Sequence, residues 1–278
     1  MISRIAFLGC GSMGEAILAG FLAKSLVDPS AVIATVRSPE RAVELAERYG
    51  VVAMATSEEA EANTLAVTGA DVVLLGVKPA QIVPLCEQIS PALSAGAVVI
   101  SVAAAVSLAQ LEAALPEDQP VVRSMPNTPL MVGRGVVALS PGASVSAEQA
   151  ELAQAVFAGS GLVLEVPETQ MSAIGAISGS GPAYIFYVAE AMAAAAQELG
   201  LEAQTAQQLA AETAAGAGLM LAQDGADPAA LRKAVTSPNG TTERAIATFT
   251  QQGLPAVILA GARAAAERSE EMTQELSD

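Results

Sequence analysis

Glycines stand at 9, 11 and 14 in "GCGSMG", directly after the apolar run "RIAFLG" and at the opening of a helical pattern. This G-x-G-x-x-G spacing serves to hold a pyrophosphate. The first glycine permits a tight turn, the second lets backbone approach the phosphates, and the third allows close helix–strand packing. Ser12 and Met13 begin the helix, whose N-terminal amides face the anion. A lone glycine turn is common, but the strand before it and the βαβ sequel point to a dinucleotide. An NAD enzyme carries a carboxylate near the end of the second strand, where it grips the ribose 2′-hydroxyl. Here the residues are Val36, Arg37, Ser38 and Pro39, with no acid before Glu40. Arg37 by charge and Ser38 by donation suit a 2′-phosphate, which favours NADP. The alternative is that Arg37 is a solvated first-turn residue.

Four more segments carry polar or small residues in unusual concentration. "GVKPAQI" (76–82) ends a strand at the sheet's carboxyl edge, with Lys78 toward the cofactor or the rim and Pro79 in the first turn of the next helix. "SVAAAV" (101–106) ends another strand with three alanines, leaving room for a nicotinamide ring or simply packing tightly. "ISGSGPAYIF" (177–186) reads equally as a capped helix start and as amides and hydroxyls offered to an anion. "SPNGTTERAI" (237–246) interrupts Ala-, Leu- and Gln-rich helices with six turn-forming or hydroxylated residues. A turn needs two or three, so six suggest backbone arranged for a ligand. "RSMPNTPLMVGRG" (123–135) is a stiff loop around Asn127 and Thr128 that by itself says little.

Composition narrows the chemistry. The 278 residues contain no histidine, which removes Ser-His and Cys-His pairs, His general acid–base work and His metal sites. An enzyme of this composition relies on a cofactor for its chemistry, and no metal site is expected. The net charge of −16, with no Lys/Arg-rich run, argues against nucleic acid. Two cysteines, Cys10 and Cys86, make no disulfide framework and suggest a reducing, cytoplasmic setting. The apolar stretches are broken by Gly or by charges such as Glu190, so no membrane span is expected.

The elements that must position these residues fall into two halves. Strands are expected at 4–9, 31–36, 71–77, 97–103, 120–125, 135–141 and 162–167, with helices over 12–26 and 37–50. The runs 71–77 and 97–103 are continuous in branched residues and therefore read as buried, parallel strands. This rhythm implies an α/β, doubly wound parallel sheet of the Rossmann type over 1–165. From 166 to 278 only helical patterns follow, at 183–200, 205–225, 227–235, 241–253 and 263–278. Aromatic residues are 3% of the chain, and its Ala-rich helices suit close packing, including against another subunit.

"GCGSMGEAI", "GVKPAQI", "RSMPNTPLMVGRG", "ISGSGPAY" and "LRKAVTSPNGTTERAI", in this order, resemble the pyrroline-5-carboxylate reductases over about residues 4–275. The resemblance implies NADPH-dependent reduction of the C=N bond of L-1-pyrroline-5-carboxylate to L-proline, with NADH as a weaker alternative. It implies a homodimer whose subunits interleave and build the site partly from both chains; in some relatives dimers assemble further, to a decamer here. Carried over residue by residue, it places Gly11, Ser12, Met13, Ser38, Lys78, Pro79, Ala103 and Ala104 at the nucleotide. Asn63 joins them because "NTLAVTGADVVLLGVKP" keeps the spacing to Lys78, although "SEEAEA" before it resembles a short insertion. Ser237, Gly240, Thr241 and Thr242 become the substrate loop, with Thr242 as the catalytic threonine whose hydroxyl reaches the ring nitrogen. A glutamate that some relatives place before this loop has no clear counterpart beyond Asp224.

Two other readings compete. A 3-hydroxyacid dehydrogenase shares the N-terminal glycine motif and a helical second half, but uses a positioned lysine, and only Lys233 is available there. A non-catalytic binder of NADP or a pyridoxal-type ligand is the second rival; an absorbance assay for turnover separates it.

Overall fold

The computed structural model describes residues 2–276; Ser277 and Asp278, the end of the helix expected over 263–278, lie outside the described residues. The first half alternates β1 (Ile5–Leu8), α1 (Ser12–Ala23), β2 (Val32–Val36), α2 (Pro39–Tyr49), β3 (Val52–Ala55), α3 (Ala62–Val67), β4 (Val72–Leu75), α4 (Ile82–Ile89), β5 (Val98–Ser101) and α5 (Leu108–Ala114). It closes with β6 (Val121–Pro126), β7 (Gly135–Pro141), α6 (Ala147–Val156), β8 (Gly161–Glu165) and the short α7 (Met171–Ile174). A π-helical turn, Gly175–Gly179, follows α7.

The eight strands form one sheet in the order β3-β2-β1-β4-β5-β6-β7-β8. Neighbours are parallel except β6 and β7, which are antiparallel and paired from Val122↔Pro141 to Pro126↔Val137. The alternation along β1 divides two cores. Ile5 and Phe7 face the layer of α1, α2 and α6 with Ile17, Leu18, Phe21 and Leu45. Ala6 and Leu8 face α3, α4 and α5 with Ile82, Leu85, Ile89 and Leu111. Strands buried on both faces must be continuously apolar, as β1 and β4 are. The Phe7 and Phe21 rings meet at 6.4 Å and 51°, and each fully buried aromatic contributes roughly 2–3 kcal/mol of transfer free energy.

The strand absent from the sequence reading is β3. It lies at the sheet edge beyond β2, is only partly covered, and has neither a branched run nor strict alternation. The antiparallel β7 also departs from an all-parallel expectation: the short loop Asn127–Arg134 leaves no room for the crossover a parallel return needs.

After β8 the described residues contain no further strand. The helices are α8 (Gly181–Glu198), α9 (Ala203–Leu221), α10 (Pro228–Ala234), α11 (Thr241–Gln251) and α12 (Leu254–Glu275). α12 starts nine residues before the expected 263, because Pro255 suits a first helical turn. By contact, the chain forms one compact unit of Met1–Gly179 with Ala265–Asp278, and a second of Ser180–Ala264. Little of the second unit is self-buried: α8 buries only Ala193, α9 only Ala206 and Ala210, and α11 and α12 none. No single described helix is long and apolar enough to cross a membrane; α11 and α12 meet that length and composition only as a pair bent by 53°.

Candidate active site

The order of the first five sheet positions reverses between β1 and β4, and ligands of open α/β sheets bind at such a switch, beyond the strand carboxyl ends. Gly9, Gly11, Ser12, Met13 and Gly14 leave β1 there; Lys78 and Pro79 leave β4; Ala103 and Ala104 leave β5; Arg37 and Ser38 leave β2. The structure thus brings the expected nucleotide residues to one edge of one unit.

Each glycine has its own reason. Gly9 has φ +70°, and a Cβ on it would fall on the Val77 side chain. Gly11 is exposed and caps α1 without a side chain. A Cβ there would meet only Gly9 O, at 3.9 Å, so nothing among the described residues demands glycine, and the backbone at this turn is open to close approach. At Gly14 a Cβ would meet Cys10 Sγ at 3.5 Å, an ordinary contact. The tight helix approach expected of the third glycine occurs instead at Gly20, whose backbone lies where a Cβ on Gly159 would sit, 2.8 Å from the Gly20 Cα. The amides of Ser12, Met13 and Gly14 find no acceptor among the described residues, while Glu15 N–H donates to Gly11 O. A dinucleotide phosphate fits this cradle.

At the β2 end, Ser38 caps α2 by accepting from the Arg41 amide at 3.4 Å. Arg41 and Arg48 are committed to carboxylates: Arg41 pairs with Glu15 and, at 2.6 Å, with Glu44, and Arg48 with both at 2.7 Å. Partial burial would raise the Glu15 pKa, but Arg41, Tyr49 and Arg48 outweigh it and hold the group below the ordinary carboxylate range. Exposed Arg37 makes no ion pair among the described residues, and neither does exposed Lys78. Both thiols are unsuited to nucleophilic work, since burial pushes Cys10 and Cys86 up to about 12.

At β5, Ala103 is buried and Ala104 exposed. The Ala103 amide donates to Ser101 Oγ at 3.3 Å, Ser124 Oγ donates to Ser101 O at 2.8 Å, and Ala105 takes φ +64°. Sequence reading missed three clamps here and nearby. Arg123 Nη1 and the Leu108 amide both donate to Glu168 Oε1, at 2.9 and 2.7 Å. Buried Asn127 donates to Ser178 O and accepts from the Val136 amide, both at 2.8 Å. Thr35, fully buried on β2, accepts from the Gly9 amide at 3.2 Å and donates to Asn63 Oδ1 at 2.7 Å. A buried polar side chain in an apolar strand was the available signal for Thr35 and Arg123.

In the second unit, Gly240 N–H donates to Ser237 O at 3.0 Å, closing a turn in which Asn239 takes φ +59°. A Cβ on Gly240 would lie 2.5 Å from Ser237 Oγ and 3.0 Å from Ser237 O, so a side chain here would crowd its own turn. Gly240 caps α11 without a side chain, and Glu243 reaches back to the Asn239 amide at 2.7 Å. The Thr241 and Thr242 amides find no acceptor among the described residues, and Thr242 is half-buried. Asp227 caps α10, accepting from the Ala229 and Ala230 amides at 3.0 and 3.3 Å. Asp224 makes no hydrogen bond or ion pair among the described residues.

Residues 168–272 match the family model for pyrroline-5-carboxylate reductase dimerisation, and residues 4–105 that for NADP oxidoreductase coenzyme F420-dependent. The chain is 40% identical to the pyrroline-5-carboxylate reductase of Pseudomonas aeruginosa, across 98% of both chains. It is 41% identical to that of Corynebacterium melassecola, across 98% of this chain and 99% of the other. A solved pyrroline-5-carboxylate reductase from Coxiella burnetii superposes with a TM-score of 0.91 at 37% identity, covering 98% of each chain. With the glycine turn, the switch point and the α11 loop in place, the chain belongs to the pyrroline-5-carboxylate reductase family.

Proposed function

We propose that this protein reduces the C=N bond of L-1-pyrroline-5-carboxylate to L-proline with NADPH, the last step of proline biosynthesis. The observation that carries the reading is the pair of uncapped helix N-termini. α1 offers its amides to a pyrophosphate, and α11 offers the Thr241 and Thr242 amides to a small carboxylate. Gly11, Ser12, Met13 and Gly14 hold the pyrophosphate; Arg37 and Ser38 take the 2′-phosphate; Asn63, Lys78 and Pro79 border the nucleotide; Ala103 and Ala104 leave space for the nicotinamide. When bound, NADPH supplies the hydride that the C=N carbon accepts.

The chain's own groups do the remainder. Ser237 and Gly240 shape the α11 loop, its amides bind the carboxylate, and the Thr242 hydroxyl donates to the ring nitrogen. A threonine hydroxyl is a poor acid, so the proton on nitrogen arrives with the iminium or from solvent. Rate enhancement then comes mainly from orientation in a water-poor site. The protein works as a homodimer in the cytoplasm, with a decamer as a larger assembly. Exposed Phe186, Tyr187, Val257 and Ile258 supply the apolar surface that a second copy covers.

The test follows NADPH absorbance with and without pyrroline-5-carboxylate, in parallel with NADH. Substrate-dependent decay is expected, faster with NADPH. Arg37→Ala raises the KM for NADPH by about 10-fold, the worth of one charge-assisted contact, and leaves that for NADH unchanged. An equal effect on both cofactors removes Arg37 from the 2′-phosphate site, and no turnover with either overturns the reductase.

A further inference from the structure

Thr35 has no surface, yet its side chain does more than satisfy its own strand. Its Oγ1 accepts the Gly9 amide at 3.2 Å, and its carbonyl accepts the Cys10 amide at 2.8 Å. One residue of β2 therefore holds two consecutive amides of the β1–α1 turn. The next amide, Gly11, turns inward to Gly9 O at 2.7 Å. Only after these three do the free amides of α1 begin. The hydroxyl is itself oriented: it donates to Asn63 Oδ1 at 2.7 Å, which leaves its lone pairs toward Gly9. Asn63 Nδ2 donates in turn to Gln88 Oε1 on α4 at 3.1 Å, and Gln88 Nε2 to Ala60 O at 3.4 Å. The other Nδ2 hydrogen of Asn63 has no acceptor among the described residues.

We infer that Thr35 is a positioning residue for the coenzyme, its hydroxyl oriented by Asn63 and Gln88 so that it fixes the Gly9 amide and the glycine turn. The inference rests on NADPH lying on that turn. Gly9 cannot shift to find another acceptor, because Val77 fills the space beside its Cα and its φ is already +70°. Loss of the hydroxyl leaves a partly buried N–H unpaired, and the turn relaxes away from the geometry in which Ser12, Met13 and Gly14 converge. Asn63 then serves twice, once through Oδ1 to the turn and once through its remaining N–H to the nucleotide.

The deciding experiment measures the NADPH dissociation constant by calorimetry, beside kcat at saturating NADPH and the KM for pyrroline-5-carboxylate. Thr35→Val, which keeps the shape and removes the hydroxyl, is expected to weaken NADPH binding about 10- to 100-fold, with kcat and substrate KM within about threefold. Thr35→Ser restores binding to within about threefold of the parent. The Asn63→Ala penalty is smaller on the Thr35→Val background than alone, because both act on one turn. Binding by Thr35→Val within about twofold of the parent overturns the inference, as does an equal fall of kcat and affinity in both Thr35 variants. If Thr35→Val does not fold, exposed Gln88→Ala decides: weaker NADPH binding supports the relay, and unchanged binding overturns it. A parent chain that binds no NADPH overturns the coenzyme reading together with this one.

Discussion

Thr242 occupies the second position of α11, where its amide has no acceptor among the described residues and its side chain is half-buried. Thr242→Ala is expected to lower kcat/KM by about 10- to 1000-fold, the worth of one oriented donor, with Thr242→Ser recovering most of it. Steady-state kinetics check this, and an unchanged kcat/KM removes the role. Gly9 and Gly11 differ in the same way that stability and binding differ. Gly11→Ala keeps the parental Tm but weakens NADPH binding, because its Cβ meets only the ligand's space. Gly9→Ala loses about 2 kcal/mol or more in denaturant unfolding, because its φ of +70° and Val77 both oppose a side chain. Equal effects of the two substitutions on stability would contradict this division.

Between elements, Glu15 joins α1 to α2 through Arg41, Arg48 and Tyr49. Its folded pKa lies below the ordinary value of 4.5. The stability it contributes is therefore fully present above about 4.5 and is lost as the pH falls through the lower folded value. Arg48 is half-exposed, so solvent screening limits the contribution. Glu15→Gln is expected to cost about 1 kcal/mol near neutral pH, and the gap from the parent closes on acidification. Urea titrations at a series of pH values read this directly; a gap that widens on acidification contradicts it. Elements with a strong local pattern were legible in advance, as β1, β4 and β5 were from their apolar runs. The edge strand β3 was not, because its four residues run from exposed Val52 through half-buried Ala53 and Met54 to buried Ala55, with no alternation for hydropathy to register.

At the scale of the molecule, α8 and α12 expose Ile185, Phe186, Tyr187, Val257, Ile258 and Leu259 while burying almost nothing. Four helices with three buried residues among them leave an apolar surface of the kind a second subunit covers, in keeping with the dimerisation family model that matches residues 168–272. Phe186→Glu is expected to shift sedimentation from dimer to monomer and to make the Tm of the parent, but not of the variant, depend on concentration. A Phe186→Glu chain that remains dimeric places the interface elsewhere. The Ala-rich composition already pointed to such packing, but not to which faces stay open.

The sequence by itself determined the chemistry available: no histidine, a glycine turn after a strand, no acid at the end of β2, and a hydroxyl-rich loop before a helix. These are local properties, set by residue type and by spacing along a few turns of chain. Tertiary structure alone decided which groups are spent and which are free. Arg41 and Arg48 are paired with Glu15 and Glu44 while Arg37 has no ion pair among the described residues, and Thr35 answers Gly9 from 26 residues away. Such pairings depend on how β1, β2 and α3 come together across the sheet, and no periodicity along the chain encodes that distance.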